Sequence, residues 1–551
     1  MPKYVLNYFN FQGKAEVARL LFHYKGVEFE NNLITYQDWP SLRSNHARFP
    51  LGELPTLEID GHVVCQSGVI NLYLAETFGL NGANASERLV INQVCETMND
   101  FWNDYARIYR NSTLDSEQKK QAYADILTNE AAKLKLSFIE SLLKRNNDGH
   151  GYFVGDSITL GDLVFFHVTG VVDESFLNDY PLLTELNNRV RHCTELKSYL
   201  DSRTHPRLPY ASSEYTPIGK GNLFDIEELC SSSLCTVGGI TYQLYKLTIR
   251  LAVSVQYKSN SLILIGYPQD MVMRILCNLL IISQSTLIIS YCTHWVCLIR
   301  LCLIEHTLCR IGLFLLMYVV YFCIYLFKIF LKQKSLDEYR KMSHKYVLNY
   351  FSFQGKAEVA RLLFHCKGVK FTDNRISFQD WPSLKSDNSR FPLGQMPTLE
   401  VDGHVICQSI AINIYLAETF GLYGANAFEK LVVNQVCETL DDFINEYLAV
   451  WKSKTLDNDQ KKKACAEVLT KESTKLKLSF IERLLKRNND GKKFFVGDSI
   501  TLGDIVFFHI TGMVDKSLLY DFPMLEDLND RVRHSAELKS YLGSRTHPPL
   551  P

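Results

Sequence analysis

Gln66 and Ser67 stand directly before an apolar-periodic run, Val69, Ile70, Leu72, Tyr73 and Leu74, and the same pair returns as Gln408 and Ser409. A serine in that place reads as a helix N-cap. A helix N-terminus carrying a hydroxyl and unpaired backbone N–H groups accepts a carboxylate or a phosphate, so anion capture is the chemistry on offer. Other reactive residue types read as structural when taken alone. Tyr8, at the end of a short apolar strand, is a half-buried aromatic before a turn, Trp39 a packing residue, and Glu96 with Asp100 a solvated face. Cys95 and Cys437 fall on apolar helix stripes, where core packing is expected. Asp162 and Asp504 lie three residues after a threonine and close capping boxes.

The elements that must hold the anion site are compressed into Phe49 to Ser67. Leu57 to Asp60 alternates apolar and acidic residues as a half-buried strand does, Asp60-Gly61 is a two-residue hairpin signal, and His62 to Cys65 reads as the returning strand. Pro55, just before the first of these strands, fits a fixed turn, with its peptide bond either cis or trans. Upstream, Tyr4 to Tyr8 reads as a strand, Lys14 to Tyr24 as a helix closed by Gly26, and Val27 to Ile34 as a second strand. The hairpin helix should end at Gly79. From Ala83 onward only helical periodicity is expected, over Glu87 to Arg107, Ser116 to Lys144 and Thr159 to Val172.

Composition sets the outer limits. A net charge of -1 over 551 residues gives no ground for nucleic-acid binding. Met1 to Gly13 reads as a strand without the apolar core of a signal peptide, so a cytoplasmic location is expected. Of the fifteen cysteines, three lie before residue 210 and four after 343, none with metal-ligand or redox-motif spacing, which favours reduced structural thiols.

Self-comparison shows a duplication. Residues 3–209 match residues 345–551 at a constant offset of 342 without insertion or deletion. The copies end in SRTHPRLP and SRTHPPLP. An offset held over two hundred residues means two copies of one folded unit, each a small α/β part followed by an all-helical part.

Tyr8 at the end of the first strand, Trp39-Pro40, Leu54-Pro55, Glu58 to Gly61, Gln66-Ser67 and Gly155 to Asp162 together resemble a cytosolic glutathione S-transferase. The resemblance is to the sigma class, with its prostaglandin D synthases of the haematopoietic type, helminth enzymes and lens S-crystallins. It implies a thioredoxin-like glutathione-binding domain over residues 1–80 and a helical domain over 81–209, repeated at 344–422 and 423–551. It also implies a dimer, either of identical chains or of the two copies within one chain.

By the same resemblance, the hydroxyls of Tyr8 and Tyr350 donate a hydrogen bond to the glutathione sulfur, with Lys14 and Lys356 as nearby cations. Gln66, Ser67, Gln408 and Ser409 would hold the γ-glutamyl carboxylate. The backbone of Leu54 beside Pro55, and of Met396 beside Pro397, would pair with the cysteinyl amide. Trp39 with Arg43, and Trp381 with Lys385, would meet the glycyl carboxylate. Asp100 and Asp442 would reach the γ-glutamyl amine of the neighbouring subunit. Glu53 stands where the second copy has Gln395, an extra carboxylate expected to weaken binding there. Phe9, Trp102 and Arg107, and Phe351, Ile444 and Ala449, would line the pocket for the second substrate. Those differences predict different electrophile preferences for the copies. Neither copy has the tryptophan of the prostaglandin synthases at position 107 or 449, so the resemblance does not extend to that activity.

The implied function is conjugation of the glutathione thiolate to hydrophobic electrophiles, with no metal required. The alternative is a non-catalytic, S-crystallin-like or ligand-binding relative. Residues 210–343 are of a different material, rich in Leu, Ile, Phe, Tyr, Cys and Ser. Candidate membrane spans lie at 275–299 and 311–331, with lysines and arginines after the second that would face the cytosol. A stretch resembling translated non-coding sequence, ending at Met342, reads more readily as the join between two neighbouring genes than as a membrane tether.

Overall fold

The computed structural model describes residues 2–172, 174–206 and 344–550. The candidate spans at 275–299 and 311–331 lie outside the described residues. Among the described residues no helix is long and apolar enough to cross a membrane.

Each copy opens on a four-stranded sheet. In the first, β1 (Tyr4–Phe9), β2 (Glu30–Ile34), β3 (Thr56–Ile59) and β4 (His62–Cys65) run in the order β2-β1-β3-β4. β1 pairs parallel to β2 and antiparallel to β3, and β3 and β4 form the hairpin turned at Asp60-Gly61. α1 (Glu16–Lys25) makes the crossover and ends at Gly26, whose φ of 62° is the left-handed cap that glycine adopts without strain. A short helix α2 (Trp39–Leu42) follows, and α3 (Ser67–Thr77) packs on the sheet, with Gly79 just beyond its end. The Leu54–Pro55 and Met396–Pro397 peptides are both cis.

The central strand is buried on both faces and so carries one polar residue that must be satisfied. Asn7 Nδ2 donates to Thr56 Oγ1 and Glu58 Oε1 at 3.2 and 3.0 Å, while its Oδ1 accepts from Asn32 and Arg48. The helical part follows: α4 (Ala85–Arg110), α5 (Ser116–Thr128), α6 (Glu130–Lys144), α7 (Leu160–Val172), α8 (Pro181–Arg191) and α9 (Thr194–Ser202). The single helix expected over Ser116 to Lys144 is two. Its apolar stripe runs on, but the backbone breaks at Asn129 (φ −71°, ψ 162°), whose side chain caps α6 through Ala132 N–H. The second copy breaks at Lys471 without a side-chain cap, so packing imposes the break. The expected box at the start of α7 is present, with Asp162 accepting from Thr159 N–H and Oγ1 and from Phe153 N–H.

The second copy repeats every one of these elements, from Tyr346–Phe351 to Lys539–Ser544, and the two copies form one compact unit. α3 packs on the second copy's long helix Ala427–Trp451, and α4 packs on Ser409–Phe420. Leu51 and Cys65 are buried in the second copy's core, and Leu393, Cys407 and Leu431 in the first's. The seam is reciprocal in its polar bonds too. Gln435 Oε1 accepts from Cys65 N–H at 3.1 Å, and Gln93 Oε1 from Cys407 N–H at 2.9 Å. Arg88 pairs with Glu418 at 2.9 Å, and Lys430 with Glu76 at 3.2 Å.

Candidate functional site

Tyr8 is the penultimate residue of β1, ahead of a tight turn at Gly13, and its Oη accepts a hydrogen bond from Lys14 N–H at 3.0 Å. Gly13 has φ +44°, and a Cβ there would lie 2.5 Å from Tyr8 Oη and overlap Phe11, so only glycine lets the turn close on the hydroxyl. Arg19 pins the loop from below. Fully buried, it pairs with Glu16 and donates to the carbonyls of Phe9 and Phe11. Tyr350 is held the same way, by Lys356 N–H at 3.1 Å.

Burial pushes the Tyr8 hydroxyl up to about 12, although Lys14 N–H and the guanidinium groups of Arg19 and Arg110 pull the other way. Tyr350 is raised for the same reason. Each is therefore a neutral hydroxyl at ordinary pH, with its own proton to donate. Lys14 meets Tyr8 through its backbone, while its positive charge pulls down the carboxyl of Glu438 of the second copy across the shared cavity.

The cavity in front of Tyr8, about 620 Å³, is lined by Phe9, Lys14, Trp39, Arg43, Glu53, Leu54 and Trp102 of the first copy and by Asp442 and Lys477 of the second. Trp39 packs edge-on against Phe9 and Phe49. Phe9 stacks on Tyr36 with ring centroids 4.4 Å apart. Pro55 is buried behind the wall. A second cavity, about 650 Å³, holds Tyr350, Phe351, Lys356, Trp381, Gln395, Met396, Ser409 and Ile444 and continues across the seam to Gln66 and Ser67. Lys385 and Pro397 do not line it; Lys385 is exposed and Pro397 buried.

Several expectations need correction. Ser67 is the first residue of α3 and not its cap, which falls on Gln66 with φ 71° and ψ 120° and no side-chain capping bond. Gln408 repeats this with φ 70°. Such backbone strain in a non-glycine residue is held in place by its surroundings and concentrates at functional sites. Glu96 is no solvated face. It is half-buried at the seam, and burial beside Glu438, Asp441 and Asp100 raises its pKa well above the carboxylate range. Arg107 points to solvent, pairing with Asp104 at 3.3 Å, and Ala449 is likewise exposed. The residues of α4 that line the first cavity are Trp102, Tyr105, Ala106, Tyr109 and Arg110. Their spacing, i, i+3, i+4, i+7, i+8, is one helical stripe that starts from Trp102 and omits Arg107. Glu53, finally, has Lys477 of the second copy 3.8 Å away, a counter-charge that the sequence offered no means of pairing with it.

The seam also carries the acidic residues into the opposite sites. Asp442 Oδ2 accepts from Gln66 Nε2 at 2.8 Å, and Asp100 Oδ2 from Gln408 Nε2 at 3.1 Å.

Two family models match this chain, each twice. The glutathione S-transferase N-terminal domain covers residues 4–76 and 346–418, and the C-terminal domain covers 99–203 and 441–545. The chain belongs to the glutathione S-transferase family. Glutathione S-transferase 1 of Ascaris suum is 35% identical over 212 residues, covering 37% of this chain and 98% of its own. Hematopoietic prostaglandin D synthase of Gallus gallus is 36% identical over 203 residues, covering 36% and 96%. S-crystallin 2 of Octopus vulgaris is 32% identical over 215 residues, covering 36% and 97%. Among solved structures, the Fasciola hepatica sigma class GST is 28% identical with a TM-score of 0.34, covering 38% of this chain and all of its own. Each relative is thus matched in nearly full length by little more than a third of the chain. One chain holds two tandem pairs of glutathione S-transferase N- and C-terminal domains.

Proposed function

We propose that both copies are sigma-class glutathione transferases that conjugate the glutathione thiolate to hydrophobic electrophiles in detoxification, and that the two copies act as an intrachain pseudo-dimer. The observation that carries this reading is the neutral Tyr8 hydroxyl, held by Lys14 N–H at 3.0 Å, facing a cavity completed by Asp442 of the other copy. A free thiol titrates near ~8.5, and only its thiolate is a strong nucleophile. A hydroxyl that accepts one hydrogen bond and donates its own proton to the sulfur stabilises the thiolate over the thiol. Lowering the thiol pKa by about two units corresponds to about 2.7 kcal/mol, within reach of a charge-assisted hydrogen bond helped by Arg19 and Arg110.

In this reading the γ-glutamyl carboxylate lies at the strained start of α3, on Gln66 and Ser67, and its ammonium meets Asp442. The cysteinyl amide pairs with the Leu54 backbone, and the glycyl carboxylate lies between Trp39 and Arg43. The second site uses Gln408, Ser409, Asp100, Met396 and Trp381 in the same way, with Lys385 outside the cavity lining. The electrophile lies over Phe9 and the Trp102 stripe in one copy, and over Phe351 and Ile444 in the other. The thiol proton passes to solvent before attack, the thiolate sulfur then forms the bond to the electrophilic carbon as the electrophile's leaving group departs to solvent with its bonding pair, and the Tyr8 hydroxyl keeps its own proton throughout.

The competing reading, alongside the likeness to S-crystallin 2, is a non-catalytic binding or structural protein. Turnover of a model electrophile by the full chain, compared with the Tyr8→Phe and Tyr350→Phe double variant, separates the two. The transferase reading expects at least a tenfold loss of conjugation with glutathione affinity retained. Equal rates in both proteins would rule it out.

A further inference from the structure

His509 is buried in Leu502–Thr511, the second copy's counterpart of α7, and its Nε2 lies 3.0 Å from the Gly355 carbonyl oxygen. That carbonyl belongs to the peptide joining Gly355 to Lys356, and the N–H of the same peptide donates to Tyr350 Oη at 3.1 Å. One planar amide therefore holds the imidazole on one side and the active tyrosine on the other. A carbonyl oxygen only accepts, so the imidazole proton must be on Nε2. Burial pushes the imidazole down to about 4 against the pull of Glu358, with Arg545 and Arg361 adding to the fall, so it stays neutral in the working range. Its Nδ1 is then a bare, buried nitrogen, and it has no partner in the structure.

We propose that His509 is a positioning residue for the second copy: it polarises the Gly355–Lys356 peptide, and through that peptide strengthens the hydrogen bond that Tyr350 donates to the glutathione sulfur. This rests on the transferase reading above. A hydrogen bond to an amide oxygen shifts electron density away from the N–H on the other side and makes it a better donor, with strengthening on the order of 10–30% per bond in such chains. A tyrosine that accepts a stronger bond becomes a stronger donor in turn. In the first copy the chain is slack. His167 faces the Gly13 carbonyl, but its Nε2 closes no hydrogen bond in good geometry, although Lys14 N–H still reaches Tyr8. The two sites therefore differ in how strongly they activate the same thiol, beyond any difference in their electrophile pockets.

The test reads the second site alone, in the full chain with Tyr8→Phe, by titrating the ultraviolet absorbance of the thiolate of bound glutathione. His509→Phe is expected to lower the thiolate fraction at neutral pH about threefold with glutathione affinity unchanged, and His509→Gln, which keeps a donor, to restore most of it. An unchanged titration in the phenylalanine variant would overturn the relay, as would a glutamine variant that falls equally far. A second measurement needs no variant at this position. In the unsubstituted chain the Lys356 amide proton should resonate downfield of the Lys14 amide proton, and coincident shifts would also overturn the relay. Absence of any thiolate in the unsubstituted chain would count against the transferase reading itself, while the amide shifts, read without glutathione, would still decide the relay.

Discussion

Gln66 Nε2 donates to Asp442 Oδ2 over 2.8 Å, although the two residues are separated by 376 positions and belong to different copies of the repeat. The reciprocal bond joins Gln408 to Asp100 over 3.1 Å. In the proposed assignment neither glutathione site is complete on one copy's residues, so each copy's performance should be tunable from the other.

Asp442→Asn should weaken glutathione binding at the first site by about tenfold, since a bond to a charged group contributes roughly 1.5–3 kcal/mol and the amide keeps part of it. The second site, whose cavity Asp442 also borders, should change much less, because its own cross-copy carboxylate is Asp100. KM for glutathione measured with Tyr350→Phe, and separately with Tyr8→Phe, tells the sites apart. An equal effect on both would refute the cross-copy assignment.

Gly13→Ala should disable the first site while leaving the second intact. The added Cβ would lie 2.5 Å from Tyr8 Oη in a backbone conformation of φ +44°. Strain of about 1–3 kcal/mol would be relieved by moving the turn, and with it Lys14 N–H, away from the tyrosine. Loss of first-site turnover with a modest fall in Tm is the expected result. Full first-site activity would show that the turn does not position the hydroxyl.

Arg110→Ala and Arg107→Ala should differ sharply. Arg110 lines the first cavity, whereas the Arg107 side chain is 78% exposed beside Asp104, in an ion pair of the kind that contributes well under about 1 kcal/mol. We expect kcat/KM for the electrophile to fall several-fold for the first variant and to stay within about twofold for the second. A reversed order would mean that the end of α4 is wrongly placed.

Glu438 makes the seam sensitive to pH. Burial, with Asp442, Asp441 and Glu96 nearby, raises its carboxyl to about 8 against the pull of Lys14 and a bond from Val69 N–H. The folded chain thus retains a proton that the unfolded chain releases from pH ~4.5 upward, so this group lowers stability as pH rises through that window, up to about 8. Glu438→Gln should raise Tm, by more at pH 8 than at pH 5. A Tm difference that shrank with rising pH would contradict the assignment.

Much of each copy was legible locally. The Asp60-Gly61 hairpin follows from alternation and turn chemistry, Gly26 from its left-handed cap, and the Thr159–Asp162 box from spacing alone, because in each case the deciding contacts lie within a few residues. The duplication is arithmetic on the sequence. The roles proposed for Tyr8 and Ser67 rest on the resemblance, since neither a strand-end tyrosine nor a serine before a helix is distinctive beyond a packed ring or an anion-accepting helix start. The tertiary structure decided the rest. Continuous periodicity hid the break at Asn129, because an apolar stripe does not record where the backbone turns. Gln93, Gln435, Lys477 and the Asp442 contact were invisible because their partners lie more than 300 positions away in sequence, on the opposite copy. Which side chains complete a site is set by how α3 and the opposite long helix pack, and that packing is a property of two surfaces meeting, which no local pattern encodes.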